Sequence, residues 1–137
     1  MVIGIDKGKK VLSMKLMNID SKEEMLLYER EGSSRCLFNE DILFGEYLIT
    51  LRVDWGDIRN GDPVLDADIY KNISGRKKKK IRNGPWHHTK KEYDKHSNCL
   101  IYEFNFQKLI LRLMSQTTFG IGVSMDAILV KREDNIA

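Results

Sequence analysis

The chain is poor in the residues that cross-link or interrupt a fold. Among 137 residues it has two cysteines and two prolines, too few for a disulfide framework or a proline-rich linker. No run approaches the roughly 18 apolar residues that a membrane-spanning helix requires, and the first residues lack the pattern of a secretory signal. We therefore expect a soluble, cytoplasmic protein, with nuclear residence left open, and predict that Cys36 and Cys99 are free, buried thiols.

The sequence signatures of common enzyme classes are also missing. There is no Gly-x-Ser-x-Gly nucleophile elbow, no phosphate-binding Gly-Lys-Ser/Thr loop and no His-Glu-x-x-His zinc motif. Cys99 follows closely after His96 and could act as a nucleophile beside a base, but no further titratable group marks the pair. We predict a protein that is not an enzyme and has no cofactor.

What the chain does have is the composition of a folded protein. Hydrophobic residues make up 42% and charged residues 31% of the sequence, which is too apolar for a disordered chain. A length of 137 residues suits one compact domain. We predict a single domain over residues 1–137.

Charge is distributed unevenly along the chain. The net charge is +3, but residues 1–70 hold nine Lys/Arg against fourteen Asp/Glu, and residues 71–99 hold ten against two. Residues 100–137 carry four of each sign. Such an asymmetry bears on partners and association rates rather than on the fold.

Alternation of apolar and polar residues predicts β-strands. The clearest run is residues 47–55, where apolar and aromatic side chains share one face and Thr50, Arg52 and Asp54 share the other. Weaker runs of the same period predict strands at residues 12–16, 25–28, 65–70, 100–106, 119–125 and 127–130.

Two segments fit a helix as well as a strand. Residues 21–29 begin with Ser21 and Glu24 in the spacing of a capping box, and residues 107–115 are apolar without a single clear period. We predict an all-β, antiparallel β-sandwich or jelly-roll-like domain, with a long basic loop and room for one short helix. The predicted core consists of Tyr47, Ile49, Leu51, Val53, Trp55, Leu65, Ile69, Leu100, Tyr102, Phe104, Ile121, Val123, Ile128 and Val130.

Residues 71–98 do not fit the strand pattern. They contain the run GRKKKKIRNG and almost no apolar period, and connections of this length are usually functional or disordered. We predict a basic loop inserted between two strands and projecting from the domain. Its predicted contact residues are Arg76, Lys77, Lys78, Lys79, Lys80, Arg82 and Trp86, with Trp86 also anchoring the base of the loop.

The positive charge of this loop predicts an acidic partner. Phosphates of nucleic acid, anionic lipid headgroups and acidic protein surfaces all attract such a cluster. An acidic protein surface or an anionic membrane is favoured over nucleic acid, because only Trp86 and Tyr93 are near enough to stack on bases. A loop that merely aids solubility is the plainest alternative.

Two groups of residues have the chemistry of metal ligands. Asp57, Asn60 and Asp62 occupy a turn and offer the oxygen ligands that calcium prefers, although the same residues are also favourable turn formers. Four zinc-ligand types lie in a short stretch, but two are adjacent histidines and no Cys-x-x-Cys pair is present, so the spacing does not favour zinc. These four residues are His87, His88, His96 and Cys99.

The run GEYLITLRVDW at residues 45–55, followed by the pair Ile69-Tyr70, resembles a strand in the non-catalytic β-sandwich domains of calpain-family and calpain-like proteins. The resemblance covers residues 45–70. It implies a regulatory or scaffolding sandwich of the kind that binds calcium, phospholipid or protein through its loops. The protease itself is not implied, since the catalytic Cys, His and Asn of that family cannot be mapped onto this sequence.

The sequence thus predicts a non-enzymatic binding or structural module that contacts an acidic partner through the basic loop. Charge complementarity would speed the encounter, and salt would weaken it. Two alternatives stay open: a calcium- or phospholipid-responsive regulatory sandwich, and a self-assembling structural protein of viral or cytoskeletal type.

Overall fold

The computed structural model describes residues 9–32, 35–56, 61–74 and 76–118. These residues form two antiparallel sheets and no helix, which confirms the all-β prediction and is consistent with a β-sandwich. No helix long and apolar enough to cross a membrane occurs in these ranges. The ten strands are β1 (Lys9–Asn18), β2 (Glu24–Glu31), β3 (Cys36–Phe44), β4 (Tyr47–Trp55), β5 (Val64–Ile73), β6 (Arg76–Arg82), β7 (Pro85–Trp86), β8 (Lys90–Asp94), β9 (Cys99–Phe106) and β10 (Leu109–Thr118).

Sheet A has the strand order β2-β1-β10-β9-β8, and sheet B has the order β3-β4-β5-β6, with β7 also paired to β5. Every neighbouring pair is antiparallel. Strands β3 and β4 are joined by a two-residue turn in which Gly45 has a φ of 59°. Glycine adopts this left-handed conformation without the steric cost that a Cβ atom imposes.

The core lies between the two sheets and follows the period of two. In sheet A, Leu12, Met14 and Leu16 of β1 are fully buried beside Leu111 and Leu113 of β10. In sheet B, every second residue of β4 is buried, as predicted. The predicted core residues that the structure buries are Tyr47, Ile49, Leu51, Val53, Trp55, Leu65, Ile69, Tyr102 and Phe104.

The remaining predicted core residues are either only partly buried or outside the described part of the chain. Leu100 is only partly buried at the margin of the core. The predicted strands at residues 119–125 and 127–130 lie outside the described residues, as do the core candidates on them. These candidates are Ile121, Val123, Ile128 and Val130.

The expectation of a short helix is wrong for both segments that suggested it. After β1, the side-chain carboxamide oxygen of Asn18 accepts hydrogen bonds from the backbone N–H groups of Asp20 and Ser21, at 2.9 and 3.1 Å. This turn returns the chain as strand β2. Residues 107–115 form a turn and most of β10, because the alternate residues Leu109, Leu111 and Leu113 fill the core.

The prediction of a basic loop over residues 71–98 is also wrong. This segment holds the end of β5, all of β6, β7 and β8, and the turns between them. The lysine run has low β-propensity, yet β6 completes hydrogen bonds along β5. Pairing with a well-formed neighbour therefore overrides local propensity, and the cations belong to a sheet edge instead of a projecting loop.

The chain passes between the sheets at opposite sides of the sandwich. One passage joins β2, an edge of sheet A, to β3, an edge of sheet B; the other joins β7 to β8 at the far edges. We call β6, β8 and the residues 83–89 between them the basic side, and we call β2 and β3 the acidic side. Strands β6 and β8 carry eight Lys/Arg and two Asp/Glu, whereas β2 and β3 carry one Arg and five Asp/Glu.

Candidate functional site

Strand β6 forms the outer edge of sheet B. It pairs with β5 through Ile69↔Arg82, Tyr70↔Lys80 and Lys71↔Lys79, and the register shifts twice along the strand. Ile81, at the first shift, is partly buried against the core. Bulges and lysines are the devices by which natural edge strands avoid pairing with other sheets, so this strand resists indiscriminate strand addition.

Arg82 and Trp86 fasten the end of β6 to the core. Trp86 is only 4% exposed and packs edge-to-face on Phe104, with ring centroids 6.1 Å apart. The Arg82 guanidinium lies over the Trp86 and Phe106 rings, 5.7 and 5.4 Å from their centroids, and donates a hydrogen bond to the carbonyl of Pro85. These contacts hold the basic strand in one position.

The burial of Trp86 corrects its predicted role as a contact residue, because a side chain inside the core cannot reach a partner. Its predicted role as an anchor agrees with this packing. Arg82 is half-buried and has partners within the chain. A direct contact of Arg82 with a partner stays a prediction.

Lys79 and Lys80 are exposed on β6. The Lys80 ammonium lies 5.9 Å from the centroid of the Tyr70 ring on the outer face of sheet B. Lys79 lies directly opposite Lys71 in the ladder, and like charges in that relation cost stability. Arg76, Lys77 and Lys78 continue the same strand.

Strand β8 adds cations to the basic side, but these have acidic neighbours. The Lys91 ammonium lies 2.8 Å from Asp62 Oδ1 and 5.4 Å from the centroid of the Tyr102 ring. Lys90 lies 3.1 Å from Glu92. The charge of β8 is thus partly neutralised, and β6 is the stronger attractor of anions.

Asp62 is the only predicted calcium ligand within the described residues. Its Oδ1 accepts hydrogen bonds from Lys91 Nζ at 2.8 Å and from the Tyr102 hydroxyl at 3.0 Å. These two hydrogen bonds, the one from Lys91 first, lower the pKa of Asp62. Asp57 and Asn60 lie outside the described residues, so the calcium site stays a prediction.

The histidines and thiols are not gathered into a metal centre within the described ranges, where no three His, Cys, Asp or Glu side chains come together. The His88 ring packs against Tyr102 and Phe104 at centroid distances of 5.4 and 6.0 Å. Both cysteines are free and buried, as predicted. Burial raises the pKa of Cys36 to about 11 and also raises the pKa of Cys99.

The acidic side is not apparent from the sequence patterns alone. Glu40 pairs with the buried Leu51 and so occupies a core-facing position of β3, yet it is exposed at the sheet edge. Asp41, on the opposite face, accepts a hydrogen bond from the Thr50 hydroxyl at 2.7 Å. Glu29 is exposed on β2. The apolar alternation Cys36, Phe38, Ile42, Phe44 could have revealed β3 and, with it, the acids on this edge.

A groove on the outer face of sheet A was also missed. It has a volume of about 500 Å³ and is lined by β1, β2 and β10. The side chains lining it alternate with the core residues of the same strands, and they include Ser13, Met114 and Gln116. At its margin Arg112 forms an ion pair of 2.7 Å with Glu103. The groove combines apolar and charged groups without a cluster of one chemical type.

No family model, curated protein or solved structure matches this chain. The class that the fold defines is therefore an all-β, two-sheet protein, and the resemblance of residues 45–70 to calpain-type sandwich domains stays a prediction.

Proposed function

We propose that this chain is a non-enzymatic binding module that contacts an acidic protein surface through its basic side. The observation that supports the proposal is the position of the run RKKKKIR: it forms a whole edge strand, fixed by β5 on one flank and by Arg82 and Trp86 at its end. The cations are thus presented on a rigid element, which lowers the entropy lost on binding compared with a mobile loop.

The extended conformation determines how the charges are presented. Successive side chains of a strand point to opposite faces, so Lys79 and Lys80 present their cations on opposite faces of this edge. An acidic surface can contact either face of the edge. Each exposed ion pair contributes about 0.2–1 kcal/mol, so several must form together for a measurable affinity.

The surroundings of β6 favour a protein partner over nucleic acid or lipid. Binding of single-stranded nucleic acid relies on exposed aromatic rings that stack on bases; on the described basic side Tyr93 is 51% exposed, while Trp86 is buried. Within the part of the chain that the structure describes, the exposed aliphatic residues that could enter a bilayer lie away from β6. Leu37 and Leu43, for example, are on β3, and Val64 is at the start of β5.

The thiols argue for binding instead of catalysis, and for a reducing compartment. A nucleophilic cysteine needs a lowered pKa, whereas burial raises the pKa of Cys99 and keeps the sulfur protonated. Two free thiols also suit the cytoplasm, where thiols stay reduced. We place the protein there as part of the proposal.

The experiment is a binding titration with a fluorescent poly-glutamate peptide as the probe. We expect binding that weakens steeply between about 50 and 500 mM salt, because screening shortens the reach of exposed charges. The variant Lys79→Glu/Lys80→Glu should bind at least about tenfold more weakly, a loss of 1.4 kcal/mol. Unchanged affinity in this variant would overturn the proposal.

A matched control separates the position of the charge from its amount. Lys22→Glu/Lys108→Glu changes the net charge equally but lies at the β1–β2 and β9–β10 turns. We expect this control to lose less than about threefold in affinity. Vesicles rich in phosphatidylserine and a single-stranded oligonucleotide serve as competing probes, and tighter binding of either at equal salt would contradict the choice of a protein partner.

A further inference from the structure

The acidic surface that best complements the basic side is present on the molecule itself. Strands β6 and β8 carry eight Lys/Arg and two Asp/Glu, and β2 and β3, on the opposite side, carry one Arg and five Asp/Glu. We propose that the basic side of one copy docks on the acidic side of a second copy. This inference rests on the proposed function and names its partner.

Edge positions make both sides available for this contact. Strand β3 pairs only with β4, and β6 pairs only with β5, within the described residues. Each therefore has one flank of backbone groups with no strand beside it. At about 3.3 Å per residue, the nine residues of β3 and the seven of β6 have comparable lengths.

Strand direction favours the same pairing. The three ladders of sheet B are all antiparallel, so β3 and β6 run in opposite directions. A second copy displaced along the sheet without rotation would thus bring its β3 antiparallel to β6 of the first. The two register shifts of β6 interrupt a regular ladder, so ion pairs would carry much of the contact. Lys79 lies on the same face of sheet B as Glu40, and Lys80 lies on the same face as Asp41.

Charge also selects against the symmetric alternatives. Two β6 edges would bring cations together, and two β3 edges would bring acids together, so both symmetric pairings are repulsive. Only the contact of unlike sides is attractive. Such a head-to-tail contact leaves each copy with one unused side, and repetition gives a ring or an open filament.

Charge reversal tests this arrangement without requiring any other ligand. The first variant, Lys79→Glu/Lys80→Glu, lowers the net charge of β6 and β8 from +6 to +2; the second, Glu29→Lys/Glu40→Lys, brings the net charge of β2 and β3 from −4 to 0. The control Lys22→Glu/Lys108→Glu changes the same amount of charge in the turns between β1 and β2 and between β9 and β10, outside the strands of both sides. Because Lys108 forms an ion pair of 2.6 Å with Asp20, a thermal melt checks that the control stays folded. Sedimentation velocity is measured at about 10 mM salt, where the Debye length is about 30 Å, and at about 1 M, where it is about 3 Å.

We expect the wild-type protein and the control to associate at low salt and to dissociate at high salt. Each side variant alone should associate at least about tenfold more weakly at low salt, because the charge attraction between its two sides is much reduced. An equimolar mixture of the two variants should associate again, since each now offers the charge that the other lacks. Recovery in the mixture also shows that both variants are folded.

Three results would overturn the inference: a monomeric wild-type protein at low salt and millimolar concentration, a variant that alone associates as strongly as the wild-type protein, or a mixture that associates no more strongly than either variant alone. If a variant fails to melt cooperatively, Lys79→Ser/Lys80→Ser replaces the first and Glu29→Gln/Glu40→Gln the second, and each must weaken association at least threefold. Wild-type protein that stays monomeric but still binds poly-glutamate would leave the proposed function standing and refute only this choice of partner.

Discussion

The two edge strands of sheet B reach their places by different physical routes. Strand β3 buries Cys36, Phe38, Ile42 and Phe44 in the core, so its own side chains attach it. Among the β6 side chains that the structure describes, Ile81 is the one apolar group packed against the core, and it is only partly buried. The strand is held by its ladder to β5 and by the stack of Arg82 on Trp86. A strand of the second kind is free to vary its exposed residues, and this freedom is what a binding surface requires.

The largest expected loss of stability comes from a substitution in β3. Phe44 is 3% exposed, and Phe44→Ala should lower the free energy of unfolding by about 3–5 kcal/mol, because it leaves a cavity in addition to the lost burial. Urea denaturation measures this change. Lys79→Ala on β6 is the matched edge-strand control and should change stability by less than about 0.5 kcal/mol; equal losses at the two sites would refute the comparison.

A smaller effect probes the only apolar attachment of β6. Ile81 is partly buried, so Ile81→Ala should cost about 1–2 kcal/mol, less than the 2–5 kcal/mol typical of a full core site. The denaturation midpoint in urea gives the loss. A cost as large as that of Phe44→Ala would mean that β6 is attached by its own side chains after all.

Smaller again is the contribution of the guanidinium stack. Arg82→Lys keeps the positive charge but replaces the planar group that lies over Trp86 and Phe106, and a Lys ammonium does not stack in the same way. We expect a loss of about 0.5–1 kcal/mol and a changed near-ultraviolet circular dichroism signal from Trp86. An unaltered spectrum and an unaltered melting temperature would contradict this account of the anchor.

The smallest effect concerns the pH dependence of the Asp62 contact. Hydrogen bonds from Lys91 and Tyr102 lower its pKa below the ordinary 3.8, so the stabilisation is present above that value and is lost as the pH falls through the lowered folded-state pKa. Asp62→Asn should therefore destabilise the protein slightly at neutral pH and not at about pH 2. Thermal melts of the wild-type protein and of Asp62→Asn across this pH range measure the difference in stability. A difference that grows as the pH falls would contradict the prediction.

Much of the fold could be predicted, because a strand that buries one face has apolar residues at every second position of its sequence. Residues 47–55 alternate without a break, and the structure buries every second residue from Tyr47 to Trp55. The alternation of β3 is interrupted by Glu40 at a core-facing position, and this strand was missed. Strand β6 has no apolar alternation at all, so only the neighbouring β5 determines that it is a strand.

The candidate site could be predicted only in part. The run of cations and the anchoring Trp86 are visible in the sequence, but the spatial separation of basic and acidic sides depends on strand order. Strands β2 and β3 lie on one side and β6 and β8 on the other, because the chain crosses between the sheets once at each side. Strand order arises from long-range pairing, which local patterns do not encode.

The most direct test of the central claim is amide hydrogen exchange with and without a bound poly-glutamate peptide. We predict that exchange slows in β6 and in the adjoining turn at residues 83–84, while the amides of β3 in the same molecule keep their rates. Protection confined to β1, β2 and β10, which line the groove on sheet A, would contradict the account, because it would place the binding surface on a different face of the protein.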